Sequence, residues 1–338
     1  MKSITVTAPA KVNLFLKILS KRNDGCHNIL TLFERISLAD TIRISAISEG
    51  IVVKSDRPIT RDPKDNLVYK AAELILTQCR DRRAGLSLPY GYRRGSIISK
   101  GYEQDYRLGS IISKGCEQGY RRGSIRPGVK IEIKKNIPIA AGLGGGSSDA
   151  AAVLKGVNKL FGLRLSGRKL VSLGKELGAD VPFFLLDEPF AAGAGKGDKL
   201  RKVRPGKRLW HLLIYPGFGA STKEIYAAFD RRESALTQGT DSAKIQASLR
   251  SKIGYKSIER MLSNDLEPAC VSEKKTTGEI LEGLAQLLDR KFIVSGSGPS
   301  LFCLYKTGKE AFGAREAILR NVPARRRRGW KIFVARTF

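Results

Sequence analysis

The segment PIAAGLGGGSSDAAA, residues 138–152, carries the strongest structural signal in the chain. The preceding residues 129–133 alternate between apolar and polar, which predicts a strand, and residues 149–161 have the spacing of an amphipathic helix. Glycines let backbone N–H groups approach an anion closely, and the first turn of a helix adds a partial positive charge. A strand, a glycine loop at 142–148 and a helix in this order therefore predict a phosphate-binding loop that suits a nucleoside triphosphate.

Two well-known phosphate motifs are excluded by the residues of this loop. No Gly-Lys-Ser or Gly-Lys-Thr follows the glycines, so it is not a Walker A loop, and Ser147 stands at the third glycine position of a dinucleotide fingerprint. A flexible glycine turn is the remaining alternative, because glycine clusters alone are a weak signal. The flanking strand and helix, together with two residues described next, favour the phosphate-binding interpretation.

A lysine and an aspartate outside the loop suit phosphoryl transfer. Lys11 lies in the apolar, strand-like segment 8–14, and Asp180 stands between a helix stop at Gly178 and the apolar run 181–184. Taken alone, the lysine would be a solvated strand residue and the aspartate a helix cap or turn residue. Taken together, a carboxylate can accept the proton of an attacking hydroxyl while an ammonium stabilises charge on the transferred phosphoryl group.

Periodicity along the rest of the chain predicts strands and helices without strict β-α-β alternation, so the expected fold class is α+β. Residues 1–20 are predicted to form a strand, a turn and a second strand. Either Asp65 or Asn66 is expected to cap the helix that follows them. The other predicted elements are strands at 37–47, 209–215, 292–295, 301–305 and 331–335 and helices at 66–79, 168–177, 258–262, 278–288 and 310–320.

Composition limits the classes of function. The chain has 338 residues, of which 42% are hydrophobic, and its net charge of +29 predicts anionic partners such as nucleic acid, a membrane surface or phosphorylated metabolites. Five widely spaced cysteines without a Cys-x-x-Cys pair argue against a disulfide framework or a zinc site and fit a reducing cytosol. Two histidines exclude a poly-histidine metal site, and the lack of an 18-residue apolar run argues against a membrane span.

An internal repeat interrupts the regular pattern. Residues 92–105 and 106–119 are near-copies with a period of 14 residues, and a third partial copy begins at Tyr120. Two and a half short copies do not make a solenoid, so the segment at about 85–127 is interpreted as a duplicated insertion that forms an exposed loop or a weak hairpin. A basic arm that binds nucleic acid or a partner is the alternative.

Seven segments together resemble the GHMP superfamily of small-molecule kinases. The resemblance covers nearly the whole chain except about residues 85–127, and the segments keep the order found in that superfamily. The GLGGGSSD form of the loop is the most specific of them. The segments are PAKVNLFLKIL at 9–19, DGCHNI at 24–29, DNL at 65–67, PIAAGLGGGSSDAAA at 138–152, LGADVPFF at 177–184, NDLEP at 264–268 and SGSGPSLF at 295–302.

The resemblance implies a fold and a set of site residues. It implies two α+β domains, 1–202 and 203–338, with the active site in the cleft between them, and it places Lys11 and Asp180 at the catalytic positions. It also implies that ATP, with Mg²⁺, is the phosphoryl donor, although the metal ligands stay unassigned. The residues that it places at the ATP site are Pro138, Ile139, Ala140, Ala141, Gly142, Leu143, Gly144, Gly145, Gly146, Ser147 and Ser148 in the loop, and Asn66 and Lys135 near the adenine.

The resemblance further implies that the acceptor is a cytidine diphosphate-linked polyol, phosphorylated in isoprenoid precursor biosynthesis. Asn13 and His27 fall near this acceptor, and the histidine is expected to read the cytosine edge. Cys26 stands where the family usually has a tyrosine, and a lost base–aromatic stack costs about 1–3 kcal/mol. Phe218 and Tyr226 are the candidates to replace that aromatic ring.

Two rival functions stay open. The first is a GHMP-type kinase that acts on mevalonate, homoserine or a sugar. The second is a basic nucleic-acid-binding protein on a kinase scaffold, suggested by the net charge and by the four arginines at 325–328. Retention of Lys11 and Asp180 argues against the second, so nucleic acid is not expected as a partner. A cytoplasmic monomer or homodimer without membrane association is expected.

Overall fold

The computed structural model describes residues 2–81, 127–204, 206, 208–232 and 254–338. Strands and helices are mixed, which confirms the predicted α+β class. The strands are β1 Ser3–Lys21, β2 His27–Ile47, β3 Ile51–Ser55, β4 Gly128–Lys134, β5 Phe190–Ala194, β6 Lys199–Lys202, β7 Trp210–Tyr215, β8 Ser263–Asn264, β9 Ile293–Val294, β10 Leu301–Tyr305 and β11 Lys331–Arg336. The helices are α1 Leu67–Asp81, α2 Gly145–Leu160, α3 Gly167–Leu177, α4 Val181–Leu185, α5 Thr222–Arg232, α6 Tyr255–Met261, α7 Glu267–Glu273, α8 Lys275–Leu288 and α9 Gly308–Asn321.

The first strand corrects one sequence prediction. Residues 1–20 do not form two strands joined by a turn, because β1 runs without a break from Ser3 to Lys21 and pairs with β2 along its length. The pairing register shifts at three places, the first between Pro9 and Ala10. Such bulges bend a strand while the ladder continues, so the irregular sequence near Pro9 is absorbed within one strand.

The first sheet supports the helix that follows the glycine loop. Its strands run in the order β3-β4-β2-β1-β8, and β5 and β6 are attached through β2. Helices α1 to α4 cover one face, where Ile42, Ile44 and Ile131 of the sheet are buried in one cluster with Val153 and Val157 of α2. This packing fixes the axis of α2 and therefore the position of its N-terminal end.

The second sheet lies against the first through the C-terminal segment. Its strands run in the order β11-β7-β10-β9. Thr337 follows β11 and donates its hydroxyl to Glu34 of β2 at 2.7 Å, and His211 Nε2 of β7 lies 3.0 Å from the same carboxylate. All three side chains are buried. The domain boundary at residues 202 and 203 stays a prediction.

The repeat insertion at about 85–127 lies outside the described residues except for its last position. Among the helices that the structure describes, none is both long enough and apolar enough to cross a bilayer.

Backbone contacts join the glycine loop to the turn between β9 and β10. Gly142 has φ +75°, and a Cβ atom on it would lie 2.1 Å from the carbonyl oxygen of Ser295. Ser295 Oγ donates to the Gly142 carbonyl at 3.1 Å, and Ser300 N donates to the Ala141 carbonyl at 3.3 Å. A glycine is therefore required where the two parts of the chain meet.

We expect Gly142→Ala to destabilise the protein by more than about 2 kcal/mol, since it combines an unfavourable positive φ with a backbone clash. Urea unfolding would measure the loss. Gly167→Ala is the matched control, because a Cβ at Gly167 meets no atom within 4 Å and its φ is not positive. A loss for Gly142→Ala no larger than that for Gly167→Ala would contradict the prediction.

Candidate active site

A cavity of about 970 Å³ opens between the two sheets. Its walls come from β1, from the loop between β4 and α2, from the start of α4, from α5 and from the turn between β9 and β10. Nearly all of the site residues predicted from the sequence lie on these walls. They are Lys11, Asn13, His27, Asn66, Lys135, Pro138, Ile139, Ala140, Ala141, Gly142, Leu143, Gly144, Gly145, Gly146, Ser147 and Asp180.

The glycine loop turns the N-terminal end of α2 toward this cavity. Gly144 adopts φ +67° and is the N-cap residue, so the helix begins at Gly145, four residues before the predicted start. Glycine has poor helix propensity, but packing of the following alanine-rich turns against the sheet overrides that preference. The backbone N–H groups of the first turn lack partners within an α-helix, so the loop presents amides suited to an anion.

Lys11 is buried in β1 and aimed at the loop. Its backbone N–H donates to the Leu143 carbonyl at 2.9 Å, and its ammonium donates to Asn13 Oδ1 at 2.6 Å. Asn13 Nδ2 in turn donates to Thr31 Oγ1 at 2.8 Å, and the Thr31 hydroxyl donates to the Phe15 carbonyl at 2.6 Å. Lys11 is therefore not a solvated strand residue, because a chain of hydrogen bonds fixes its position.

Asp180 faces Lys11 across the cavity. Its Oδ2 lies 3.5 Å from Lys11 Nζ, and its side chain is 31% exposed. The residue occupies the N-cap position of α4, but its side chain makes no capping hydrogen bond within the described structure. The carboxylate is thus held beside an ammonium, open to the cavity, and is not used to cap the helix.

A second buried ion cluster lies beside the loop. Lys135 donates from its ammonium to Asp40 Oδ2 and to Asp149 Oδ2, the latter at 2.8 Å. Asp40 also accepts from the backbone N–H groups of Asn136 and Ile137. Burial raises the pKa of Asp149 to about 7, against the opposing attraction of Lys135. Two carboxylates therefore share one ammonium, and Lys135 and Asp149 both line the cavity.

Asn66 and Ser148, which the sequence predicts at the nucleotide site, lie in different surroundings. Asn66 lines the cavity, and its Oδ1 accepts from Val68 N at 2.9 Å, so Asn66 is the residue that caps α1. Ser148 is buried next to the loop and is not among the described residues that line the cavity. Its hydroxyl has no hydrogen-bond partner within the described part of the chain. The assignment of Ser148 to the nucleotide site stays a prediction.

The other end of the cavity holds an aromatic pair. The rings of His27 and Tyr226 stack with centroids 5.0 Å apart, and His27 Nε2 lies 2.7 Å from Asp230 Oδ1. Burial favours the neutral form of Asp230, but hydrogen bonds from Lys21 and His27 outweigh it and lower the pKa of the carboxyl. Cys26 is exposed and lines the cavity beside His27.

Sequence reasoning missed several wall residues. Thr222 and Ser297 line the cavity and share a hydrogen bond between their hydroxyls at 2.9 Å. Phe218 and Tyr226 were the two candidates to replace the aromatic ring that is absent at Cys26. Tyr226 lines the cavity. Phe218 is not among the described lining residues, and its ring lies below the Lys274 ammonium. The SGSGPS segment signalled the Ser297 turn, whereas no local pattern marks Thr222.

Known proteins resemble this chain over its full length. The N-terminal domain model of the GHMP kinases matches residues 110–188. Two proteins named 4-diphosphocytidyl-2-C-methyl-D-erythritol kinase are similar. One from Syntrophotalea carbinolica is 35% identical and covers 96% of both chains, and one from Geobacter sp. strain M21 is 33% identical and covers 100% of both. A crystal structure of 4-(cytidine 5'-diphospho)-2C-methyl-D-erythritol kinase superposes with a TM-score of 0.69 at 27% identity, covering 98% of both chains.

These similarities, together with the loop and the Lys11–Asp180 pair, place the chain among the GHMP kinases, a class of small-molecule kinases. The resemblance found in the sequence is thereby confirmed. Within that class, the chain belongs to the family of 4-diphosphocytidyl-2-C-methyl-D-erythritol kinases.

The Asp149 cluster predicts a pH-dependent stability difference. Because the pKa of Asp149 is raised on folding, its contribution to stability is present at low pH and is lost as the pH rises through about 7. We expect the free energy of unfolding of Asp149→Asn to increase relative to wild type by roughly 2 kcal/mol between pH 5 and pH 8. Urea unfolding at the two pH values measures this change.

Asp187→Asn is the control for that experiment. Lys155 holds the pKa of Asp187 below its usual value, so its carboxylate is ionised at both pH values and the difference from wild type should be constant. A constant difference for Asp149→Asn as well would show that the prediction is wrong.

Proposed function

We propose that this chain transfers the γ-phosphoryl group of ATP to the 2-hydroxyl of 4-diphosphocytidyl-2-C-methyl-D-erythritol. The observation that carries the proposal is the Lys11–Asp180 pair, 3.5 Å apart, between a glycine loop and an aromatic pair in one cavity. The names of the full-length relatives supply the identity of the acceptor.

The glycine loop, Asp180 and Lys11 have separate roles in the proposed phosphoryl transfer. The glycine loop holds the ATP phosphates through backbone amides at the N-terminal end of α2. Asp180 accepts the proton of the acceptor hydroxyl as its oxygen bonds to the γ-phosphorus, while the bond from that phosphorus to the β,γ-bridging oxygen breaks and ADP leaves. Lys11 lies 3.5 Å from the Asp180 carboxylate and stabilises the charge on the transferred group. Asn13 positions Lys11 through its amide oxygen.

His27 and Tyr226 form the cytosine end of the site. Asp230 accepts from Nε2 of His27, so in the neutral imidazole Nδ1 is the acceptor and suits the exocyclic amine of cytosine. Tyr226 offers the aromatic face that Cys26 does not, from α5 and not from the β1–β2 turn. Base–aromatic stacking contributes about 1–3 kcal/mol, which is enough to compensate for the residue at position 26.

The donor is proposed to bind as MgATP. In the part of the chain that the structure describes, no group of three or more His, Cys, Asp or Glu side chains could hold a metal ion. The nucleotide phosphates would therefore supply most of the ligands, as is usual for Mg²⁺. The cytoplasmic location and the monomeric or homodimeric state stay predictions.

Release of ADP tests the reaction. Wild-type protein with MgATP should release ADP with 4-diphosphocytidyl-2-C-methyl-D-erythritol and not with mevalonate or homoserine. Asp180→Asn should lower kcat by about 10²- to 10⁴-fold, because it removes the proton acceptor, while ATP binding is retained. Asp187→Asn, whose side chain is 89% exposed, is the matched control. Turnover of mevalonate or homoserine in preference to the named acceptor would contradict the proposal.

A second substitution tests the acceptor end. We expect Tyr226→Leu to raise KM for the acceptor by about 5- to 150-fold, the equivalent of a lost base–aromatic stack. KM for ATP should stay unchanged. Phe218→Leu removes an aromatic ring of similar size that is not among the lining residues of the described cavity, and it should leave both KM values unchanged. Equal effects of the two substitutions would argue against stacking by Tyr226.

A further inference from the structure

A buried asparagine anchors the turn between β9 and β10. Asn264 of β8 is 7% exposed, and its Nδ2 donates to the carbonyl oxygens of Val294 at 2.8 Å and Gly296 at 2.7 Å. Its Oδ1 accepts from the Leu266 N–H at 3.0 Å, so both amide hydrogens and the amide oxygen are engaged. Gly296 lines the cavity, whereas Asn264 is not among the described lining residues. The asparagine therefore holds this part of the wall from the side opposite the cavity.

The turn that Asn264 holds lies directly against the Lys11 ammonium. A Cβ atom on Gly296 would lie 3.2 Å from Lys11 Nζ and 3.2 Å from Asn13 Oδ1. The Gly296 carbonyl oxygen accepts from Asn264, while the ammonium donates to Asn13. The backbone of the turn is thus a close neighbour of the group that is proposed to stabilise the transferred phosphoryl, yet its carbonyl is engaged elsewhere.

The orientation of the Gly296–Ser297 peptide determines which end of its dipole faces the cavity. In a trans peptide the carbonyl oxygen and the following N–H point in opposite directions, so the Ser297 N–H points away from Asn264. A rotated peptide would turn the carbonyl oxygen toward the cavity and place it beside the Lys11 ammonium. That oxygen would compete with Asp180 for the ammonium and would repel an anionic phosphoryl group. Glycine accepts a wide range of φ and ψ, so residue 296 does not by itself prevent the rotation.

We propose that Asn264 is a positioning residue for phosphoryl transfer, which holds the Gly296 carbonyl away from the Lys11 ammonium. This inference rests on the proposed function, because it concerns the rate of that reaction. Asn264 acts through the backbone of the turn and through Lys11. Its loss should therefore lower kcat, while nucleotide binding, which is proposed to depend on the glycine loop, should be retained.

Two substitutions of similar size remove the donors of Asn264 in different ways. In Asn264→Leu the side chain neither donates nor carries a charge. In Asn264→Asp the ionised carboxylate cannot donate, whereas the protonated carboxyl group has one O–H that can. Carbonyl oxygens facing the new carboxyl group disfavour its ionised form and raise its pKa. The aspartate variant should therefore regain part of the wild-type arrangement as the pH falls.

Glu267→Ala is the matched control, because it removes a different anchor of the same segment. Glu267 Oε2 accepts from the Val294 N–H at 2.9 Å. The substitution removes this hydrogen bond but leaves the two bonds that Asn264 donates. If the asparagine only anchored β9, Glu267→Ala and Asn264→Leu would have equal effects on kcat.

The experiment measures ADP release with MgATP and 4-diphosphocytidyl-2-C-methyl-D-erythritol, and ADP binding by calorimetry. We expect both Asn264 variants to lower kcat at pH 8 by about 10- to 100-fold, since a displacement of about 1 Å can cost 10²-fold. From pH 8 to pH 6, kcat relative to wild type should rise at least about threefold in Asn264→Asp and stay constant in Asn264→Leu. Glu267→Ala should keep the wild-type kcat, and all variants should keep the wild-type affinity for ADP.

Thermal unfolding at both pH values establishes that each variant is folded. If Asn264→Leu does not fold, the recovery of Asn264→Asp at pH 6 decides, and its absence would contradict the inference. Wild-type kcat in Asn264→Leu, equal losses in Asn264→Leu and Glu267→Ala, or a parallel loss of ADP affinity would each overturn it. Absence of turnover by the wild type would overturn the proposed function as well, whereas an active wild type with unchanged Asn264 variants would overturn the inference alone.

Discussion

Burial of the Lys11 ammonium in β1 is the constraint on which the site depends. A charged group removed from water is costly unless it is paired and hydrogen-bonded, and Lys11 is 5% exposed. The carboxylate of Asp180, the amide oxygen of Asn13 and the ring of Phe33, whose centroid lies 5.6 Å from Nζ, all contribute to its stabilisation. The ammonium is therefore held in one position, and the proposed contact with a transferred phosphoryl group requires such positioning.

The two sheets contribute to the same cavity because a close backbone approach and a buried polar cluster join the two parts of the chain. Gly142 lies against Ser295 so closely that neither position tolerates much movement. Glu34 of β2 lies in a buried polar contact with His211 and Thr337. These two contacts fix the position of the cavity walls relative to each other. The Lys11–Asp180 pair and the His27–Tyr226 pair lie on those walls.

The sequence predicted the parts of the site whose signals are local. The glycine loop, Lys11 and Asp180 lie in segments that can be interpreted from a few neighbouring residues. The start of α2 was missed by four residues because the glycine-rich first turn is held by packing, which no propensity describes. The sequence named Tyr226 as a candidate aromatic residue but could not predict its position, since its approach to His27 depends on how α5 packs against β2. The ion cluster of Asp149 with Lys135 and Asp40 could not be predicted, because it depends on the packing of α2 against the first sheet.

The distribution of charge explains how a chain of net charge +29 can discriminate among anions. A positive electrostatic field attracts phosphorylated molecules of every kind, and salt screens it beyond about 8–10 Å. The field therefore raises the rate at which anions meet the protein but does not distinguish one anion from another. Four carboxylates of the described structure line the cavity. Three lie against a buried basic side chain, Asp180 against Lys11, Asp149 against Lys135 and Asp230 against His27, and the fourth, Asp65, lies 3.9 Å from Lys70. Such pairing reduces the repulsion between these acids and an anionic substrate, and under the proposed function the Asp180 carboxylate accepts the proton of the acceptor hydroxyl.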